Sequence, residues 1–150
     1  MKRFCMWATA LAVIATPALA EWRWEQGGGL ARTETRANGY QFFLSCEVGR
    51  TNEIYLDIIA DGQDPDLASA QVAMLWIQLP DGRLDRQPVD LNGTPKAAGG
   101  FWFVSSSILD NFRNATAMEV ELYPQRKTLA KLSMRGSGAS RLAFQEQCGF

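Results

Sequence analysis

The chain has 150 residues, with 15 lysines and arginines, 16 aspartates and glutamates, three cysteines and no histidine. A net charge of −1 argues against an electrostatic nucleic-acid or anionic-membrane binder. The missing histidine removes the commonest general base and metal ligand.

Met1-Lys2-Arg3 is a short basic start, Phe4 to Thr16 is apolar apart from Thr9 and Thr16, and Pro17-Ala18-Leu19-Ala20 supplies small residues before Glu21. This is the layout of a secretory signal peptide, with cleavage expected after Ala20. The apolar stretch is shorter than the roughly 20 residues of a spanning helix, and no later segment is long and apolar enough to span. The expectation is a 1–20 signal peptide and a single β domain over 21–150, exported to a bacterial periplasm or secreted. The leader removes two of the 15 bases, leaving 130 residues with thirteen bases against 16 acids. A chain of that length can bury roughly two thirds of its unfolded surface.

Cys5 leaves with the leader, so Cys46 and Cys148 remain. An even count in an exported chain reads as a disulfide. Two thiolates without histidine do not complete a tetrahedral metal shell. No C-x-x-C or histidine base is present to activate a thiol.

Along the mature chain, 40–48 alternates: Tyr40, Phe42, Leu44, Cys46 and Val48 share one face, which predicts a half-buried strand with Cys46 inward. Gly49 to Asn52 turns the chain, and Ile54, Leu56, Ile58 and Ala60 repeat the phase, completing a hairpin. Asp61 to Asp66 (DGQDPD) reads as a loop. Val72 to Leu79 is apolar on both faces, as expected of a strand covered on both sides. Pro80-Asp81-Gly82 leads to a weaker strand over Leu84 to Val89, and a glycine-containing loop precedes Phe101 to Val104. Ser107-Ile108-Leu109-Asp110 reads as a capped short helix. Ala115 to Tyr123 alternates with Met118, Val120 and Leu122 inward and Glu119 and Glu121 outward. After the turn at Pro124 to Lys127, Ala130, Leu132 and Met134 share a face. Gly136-Ser137-Gly138 ends that strand, and Ser140 to Gln147 predicts a last helix with Cys148 just past its end. Short strands joined by turns make a mainly β fold, an antiparallel β-sandwich or partly closed barrel with two short helices and one disulfide.

Asp57, Asp61, Asp64 and Asp66 crowd ten residues, but without the spacing of an EF-hand, and Pro65 between two aspartates suits an ordinary turn. Glu47 to Asp66 holds six acids opposed by Arg50, whereas Tyr123 to Arg141 holds five bases and no acid. The two stretches either neighbour and neutralise each other or offer an acidic loop to a basic partner. Trp22 and Trp24 alternate beside Gly27-Gly28-Gly29, either as core cover for the open end of the sheet or as an exposed aromatic anchor.

A tryptophan near the mature N-terminus, the early-strand Cys46 and the segment LSMRGSGASRLAFQEQC together resemble small periplasmic proteins of the invasion-associated locus B type. That resemblance covers most of the mature chain and implies a non-enzymatic β-rich binding protein. Ser137-Gly138 also resembles the start of the S-G-x-x-Y loop of periplasmic C-type lysozyme inhibitors, with Arg141 in place of the tyrosine. That resemblance implies an exposed loop whose serine enters the lysozyme cleft.

The expectation is therefore an exported protein that binds rather than catalyses, with another protein, possibly basic, as its partner. No catalytic residue, metal ligand or cofactor is nominated. The candidate partner-binding residues are Ser137, Gly138, Asp57, Asp61, Asp64, Asp66, Trp22 and Trp24. A carboxylate-dependent hydrolase is the competing class, for which the sequence singles out no acid pair.

Overall fold

The computed structural model describes residues 22–150, so the expected 1–20 signal peptide lies outside the described residues. The chain opens with strand β1 (Arg23–Gly27) and strand β2 (Leu30–Ala37), an antiparallel hairpin turned by Gly28 and Gly29 at φ of 61° and 82°. Periodicity hid β2 because its inward residues are Ala31, Thr33 and Thr35. Two threonines do not register as an apolar face, although their hydroxyls can be buried once bonded. Thr33 Oγ1 donates to the carbonyl of Arg23 at 2.8 Å and lies 2.7 Å from Ser140 Oγ.

Strands β3 (Tyr40–Glu47) and β4 (Glu53–Ala60) form the expected hairpin. Phe42, Leu44, Cys46, Ile54, Leu56, Ile58 and Ala60 are buried, whereas Val48 lies beyond the strand and is exposed. The DGQDPD segment is not only a loop. It leads into helix α1 (Pro65–Ser69), capped by Asp64, whose Oδ1 accepts the N–H of Asp66 at 3.1 Å. An aspartate cap followed by proline at the first helical position is a local start signal, because proline lacks the N–H that a helix start leaves unpaired.

Strand β5 (Val72–Gln78) is central in a second sheet, between the edge strand β6 (Leu84–Asp90) and a later strand. Its Ala73, Leu75 and Ile77 point into the core, while Met74 and Trp76 are only half-buried. The expectation of cover on both faces is corrected. Long side chains of neighbouring strands flank its outer residues, and no described helix packs over them.

A two-residue strand, β7 (Asn92–Gly93), precedes β8 (Ala97–Phe103), which pairs with β4. Helix α2 (Ser106–Asn114) begins two residues before the expected cap, at Ser105, whose Oγ accepts the N–H of Ile108. Strands β9 (Ala117–Tyr123) and β10 (Lys127–Ser133) then complete the second sheet. Helix α3 (Ser137–Cys148) includes Cys148 as its last residue. Gly136 caps it at φ 93°, where a Cβ would be strained, and no serine side chain caps it. Among the described residues α2 and α3 are thus the two expected helices, and the five-residue α1 is a third.

The sheets run β1-β2-β3-β4-β8-β7 and β10-β9-β5-β6, all pairs antiparallel, and they meet where β6 passes β8 and β10 passes β2. The result is a sandwich, not a closed barrel. Its core contains Phe42, Leu44, Leu56, Leu75, Val120 and Leu132 from the strands, with Trp102, Phe112 and Phe144 filling one end. Each such side chain contributes roughly 1.5–3 kcal/mol on burial. Cys46 and Cys148 are bonded, tying α3 to β3 across a sequence separation of 102 with Cα atoms 6.1 Å apart. Helix α3 packs on β1, β2 and β3, covering the inner face that the short second sheet leaves open. No described helix is long and apolar enough to cross a membrane.

Candidate functional site

The face of the second sheet turned away from the core is built of cross-strand rows. Lys131, Glu119, Trp76 and Arg86 make one row across β10, β9, β5 and β6. Thr128, Glu121, Met74 and Pro88 make the next, and Ala117, Gln78 and Leu84 flank the first on its other side. Side chains two apart on β9, β5 and β6 share a face, and on β10 a bulge between Thr128 and Ala130 brings Thr128 and Lys131, three apart, onto it as well. Together with Gly82 and Arg126, several of these residues line an open groove of about 530 Å³.

Glu121 is the unusual residue of this face. It points away from the core, yet it is only 8% exposed. Burying a carboxylate is costly unless donors replace its water. Here Trp76 Nε1 donates to Oε2 at 2.9 Å and the Tyr123 hydroxyl donates to the same oxygen at 3.1 Å. The other oxygen, Oε1, faces Arg126 Nε at 3.5 Å. Arg126 sits in the β9–β10 turn at φ 56°, with its guanidinium 5.6 Å from the Tyr123 ring centre and its side chain 73% exposed. Beside it, Glu119 Oε1 accepts the Thr128 hydroxyl at 3.0 Å, and Arg86 lies 5.7 Å from the Trp76 ring centre. The groove therefore joins two carboxylates on β9 to an indole wall on one side and two cations on the other.

The residues expected to bind a partner are dispersed by the fold. Trp22 is buried: its indole N–H donates to the Ser133 carbonyl at 2.9 Å and its ring meets Phe112 edge-on at 5.5 Å. Trp24, on the edge strand β1, is 48% exposed and lines a smaller hollow with Arg32 and Glu34. The two tryptophans thus split between core and surface.

The four aspartates do not form one site. Asp57 lies on the outer face of the first sheet, where burial raises its carboxyl above the ordinary range and the nearby Arg32 only partly offsets this. Asp61 is exposed at the end of β4 and accepts Lys96 Nζ on its backbone carbonyl. Asp64 is buried and Asp66 is its neighbour in α1, and Lys127 bonds to both. Through Lys127, Asp64 and Asp66 the acidic and basic stretches thus partly neutralise each other, the first of the two arrangements that the sequence leaves open.

Ser137 and Gly138 form the first turn of α3, not a protruding loop. Ser137 is 0% exposed and its hydroxyl donates to the Phe112 carbonyl. The exposed serine that the lysozyme-inhibitor resemblance implies is not seen: the short strand-to-helix turn places Ser137 against the Phe112 carbonyl of α2.

Sequence reasoning missed the groove because Glu119 and Glu121 read as ordinary solvated positions and Trp76 as core. The available signal was Glu119-x-Glu121 on one strand face beside a strand with tryptophan on its second apolar face. No protein-family model matches the chain, and no curated protein or solved structure matches it either.

Proposed function

We propose that the protein is an exported, non-enzymatic binding protein of the bacterial periplasm, and that it engages another protein through the groove on the second sheet. The observation that carries this reading is the buried Glu121, held by Trp76 and Tyr123 on a face that no described helix covers. A carboxylate oriented by fixed donors beside aromatic surface is a pre-organised contact for a partner. The Cys46–Cys148 bond supports export, because such bonds persist in oxidising compartments.

The hydrolase alternative gains a specific acid pair, Glu119 and Glu121, in the same groove. Binding is favoured because Glu121 already accepts two hydrogen bonds on one oxygen and faces a guanidinium on the other.

A photo-crosslinking residue at Gln78, inside the groove, tests the reading against the same residue at Glu25, outside it. The expected result is capture of a discrete periplasmic protein from Gln78 alone, competed by excess unlabelled mature chain. Equal capture from both positions, or none from either, would overturn the groove as the binding site.

A further inference from the structure

Resting on that binding reading, we infer that the groove is a receptor for a cationic side chain of the partner, an arginine or lysine, and that Arg126 is a resident occupant which the partner displaces. Glu121 Oε2 is satisfied by Trp76 and Tyr123, so its remaining capacity for a partner lies at Oε1. The group facing Oε1 is the chain's own guanidinium, which shows what chemistry the seat accepts. Tyr123 adds an aromatic face to that guanidinium at 5.6 Å. A carboxylate beside aromatic rings is the recognised combination for an organic cation, joining ion pairing to cation–π attraction.

Arg126 fills the seat poorly. A strong arginine–carboxylate pair makes two parallel N–H bonds at about 2.7–2.9 Å, whereas Arg126 approaches through Nε alone at 3.5 Å. Its exposed side chain is anchored at the rim of the groove, in a turn, so swinging into solvent breaks few contacts. Glu119 stands two residues along the same strand face, with Lys131 opposite it on β10. Displacing Arg126 leaves two carboxylates against one cation in the groove, a balance that favours a positive ligand.

The test uses the mature protein with ¹⁵N labelling, the Trp76 indole signal being assigned by its loss in Trp76→Phe. Titration is with N-acetyl-arginine methylamide, the corresponding lysine amide, and the blocked glutamine and glutamate amides as opposing arms. The cationic probes are expected to shift the Trp76 indole saturably, with a dissociation constant on the order of 1 mM for so small a ligand. The neutral and anionic probes are expected to leave it in place.

Arg126→Ala should tighten cation binding about two- to fivefold, since a single 3.5 Å contact from an exposed guanidinium holds the seat by no more than about that factor. Glu121→Gln should abolish it. Absence of a saturable shift in both the parent and Arg126→Ala would overturn the inference, as would binding of the glutamate probe or weaker cation binding in Arg126→Ala. Because Arg126 is exposed, its alanine variant keeps the test valid even if Glu121→Gln fails to fold. If Gln78 still crosslinks a partner whose capture is unchanged by Arg126→Ala and Glu121→Gln, the cation seat falls while the binding groove stands.

Discussion

Lys127 Nζ lies 2.9 Å from Asp64 Oδ1, joining the start of β10 to the cap of helix α1. Asp64 Oδ2 also accepts the Tyr40 hydroxyl at 2.6 Å, and Asp66 shares the ammonium at 3.0 Å. Three segments distant in sequence converge on one buried carboxylate. Asp64→Asn should cost on the order of 1–2 kcal/mol, because the carboxylate is buried but Lys127 is 36% exposed and water screens the pair. Lys127→Met should cost a comparable amount, with the double variant losing less than the sum. Chemical denaturation of the four proteins measures this, and additive losses would show that the pair is not coupled.

The same site sets a pH dependence. Burial opposes ionisation of Asp64, but hydrogen bonds from Tyr40, Lys127 and the Asp66 N–H outweigh it and hold the carboxyl below its ordinary 3.8. The pair with Asp64 and Asp66 pushes Lys127 up. A depressed carboxyl contributes stability above its unfolded pKa that is lost as pH falls through the folded value. The gap between parent and Asp64→Asn should therefore hold steady at neutral pH and shrink as pH drops below 3.8.

Asp57 carries the opposite sign. Its carboxyl is raised by burial, so the folded state holds the proton more tightly than the unfolded one, and ionisation costs stability as pH rises through the folded value. Asp57→Asn should accordingly be more stable than the parent at neutral pH, with the difference vanishing in acid. Thermal melts at both ends of that range decide it.

The Cys46–Cys148 bond spans a separation of 102 residues. In the chain-entropy model such a closure is worth about 4–5 kcal/mol. Cys46→Ser and Cys148→Ser should lose similar amounts, and the double variant should be no worse than either, because all three break one bond. Denaturation curves under non-reducing conditions measure the losses, and additivity would mean that each cysteine acts separately.

Two glycines should respond in opposite directions. A Cβ at Gly100 would fall on the backbone carbonyl of Asp90, where β8 passes β6, and the backbone cannot yield cheaply. Gly100→Ala should destabilise by about 1–3 kcal/mol or more, the usual cost of overpacking. Gly138 lies in α3 with open space at its Cβ, so Gly138→Ala should stabilise by about 0.5–1 kcal/mol. Paired melting curves would expose a wrong sign at either position.

Alternation by itself determined β3, β4, β9 and the inner face of β10, since Phe42, Leu44, Ile54, Leu56, Val120, Leu122, Ala130 and Leu132 must all leave water and period two offers one way to do it. The pairing of Cys46 with Cys148 was likewise legible, from an even count of cysteines beyond the leader that the sequence predicts. Strand β2 was not, because its buried threonines look polar in sequence: Thr33 goes inward once Arg23 and Ser140 supply its partners, and Thr35 Oγ1 is buried with no partner among the described residues. The two tryptophans near the start were not separable either, for only the position of α2 and β10 gives Trp22 a ring to meet and a carbonyl to bond. The groove was the least legible feature. Glu119 and Glu121 are equivalent in sequence, two acids on one outward face. What makes Glu121 a buried carboxylate is the register that sets Trp76 on β5 diagonally across from it and the turn that returns Arg126 over Tyr123. Sequence pattern fixes which face a side chain takes, but desolvation and charge pairing are sums over neighbours from other strands, and those neighbours exist only once the sheet has formed.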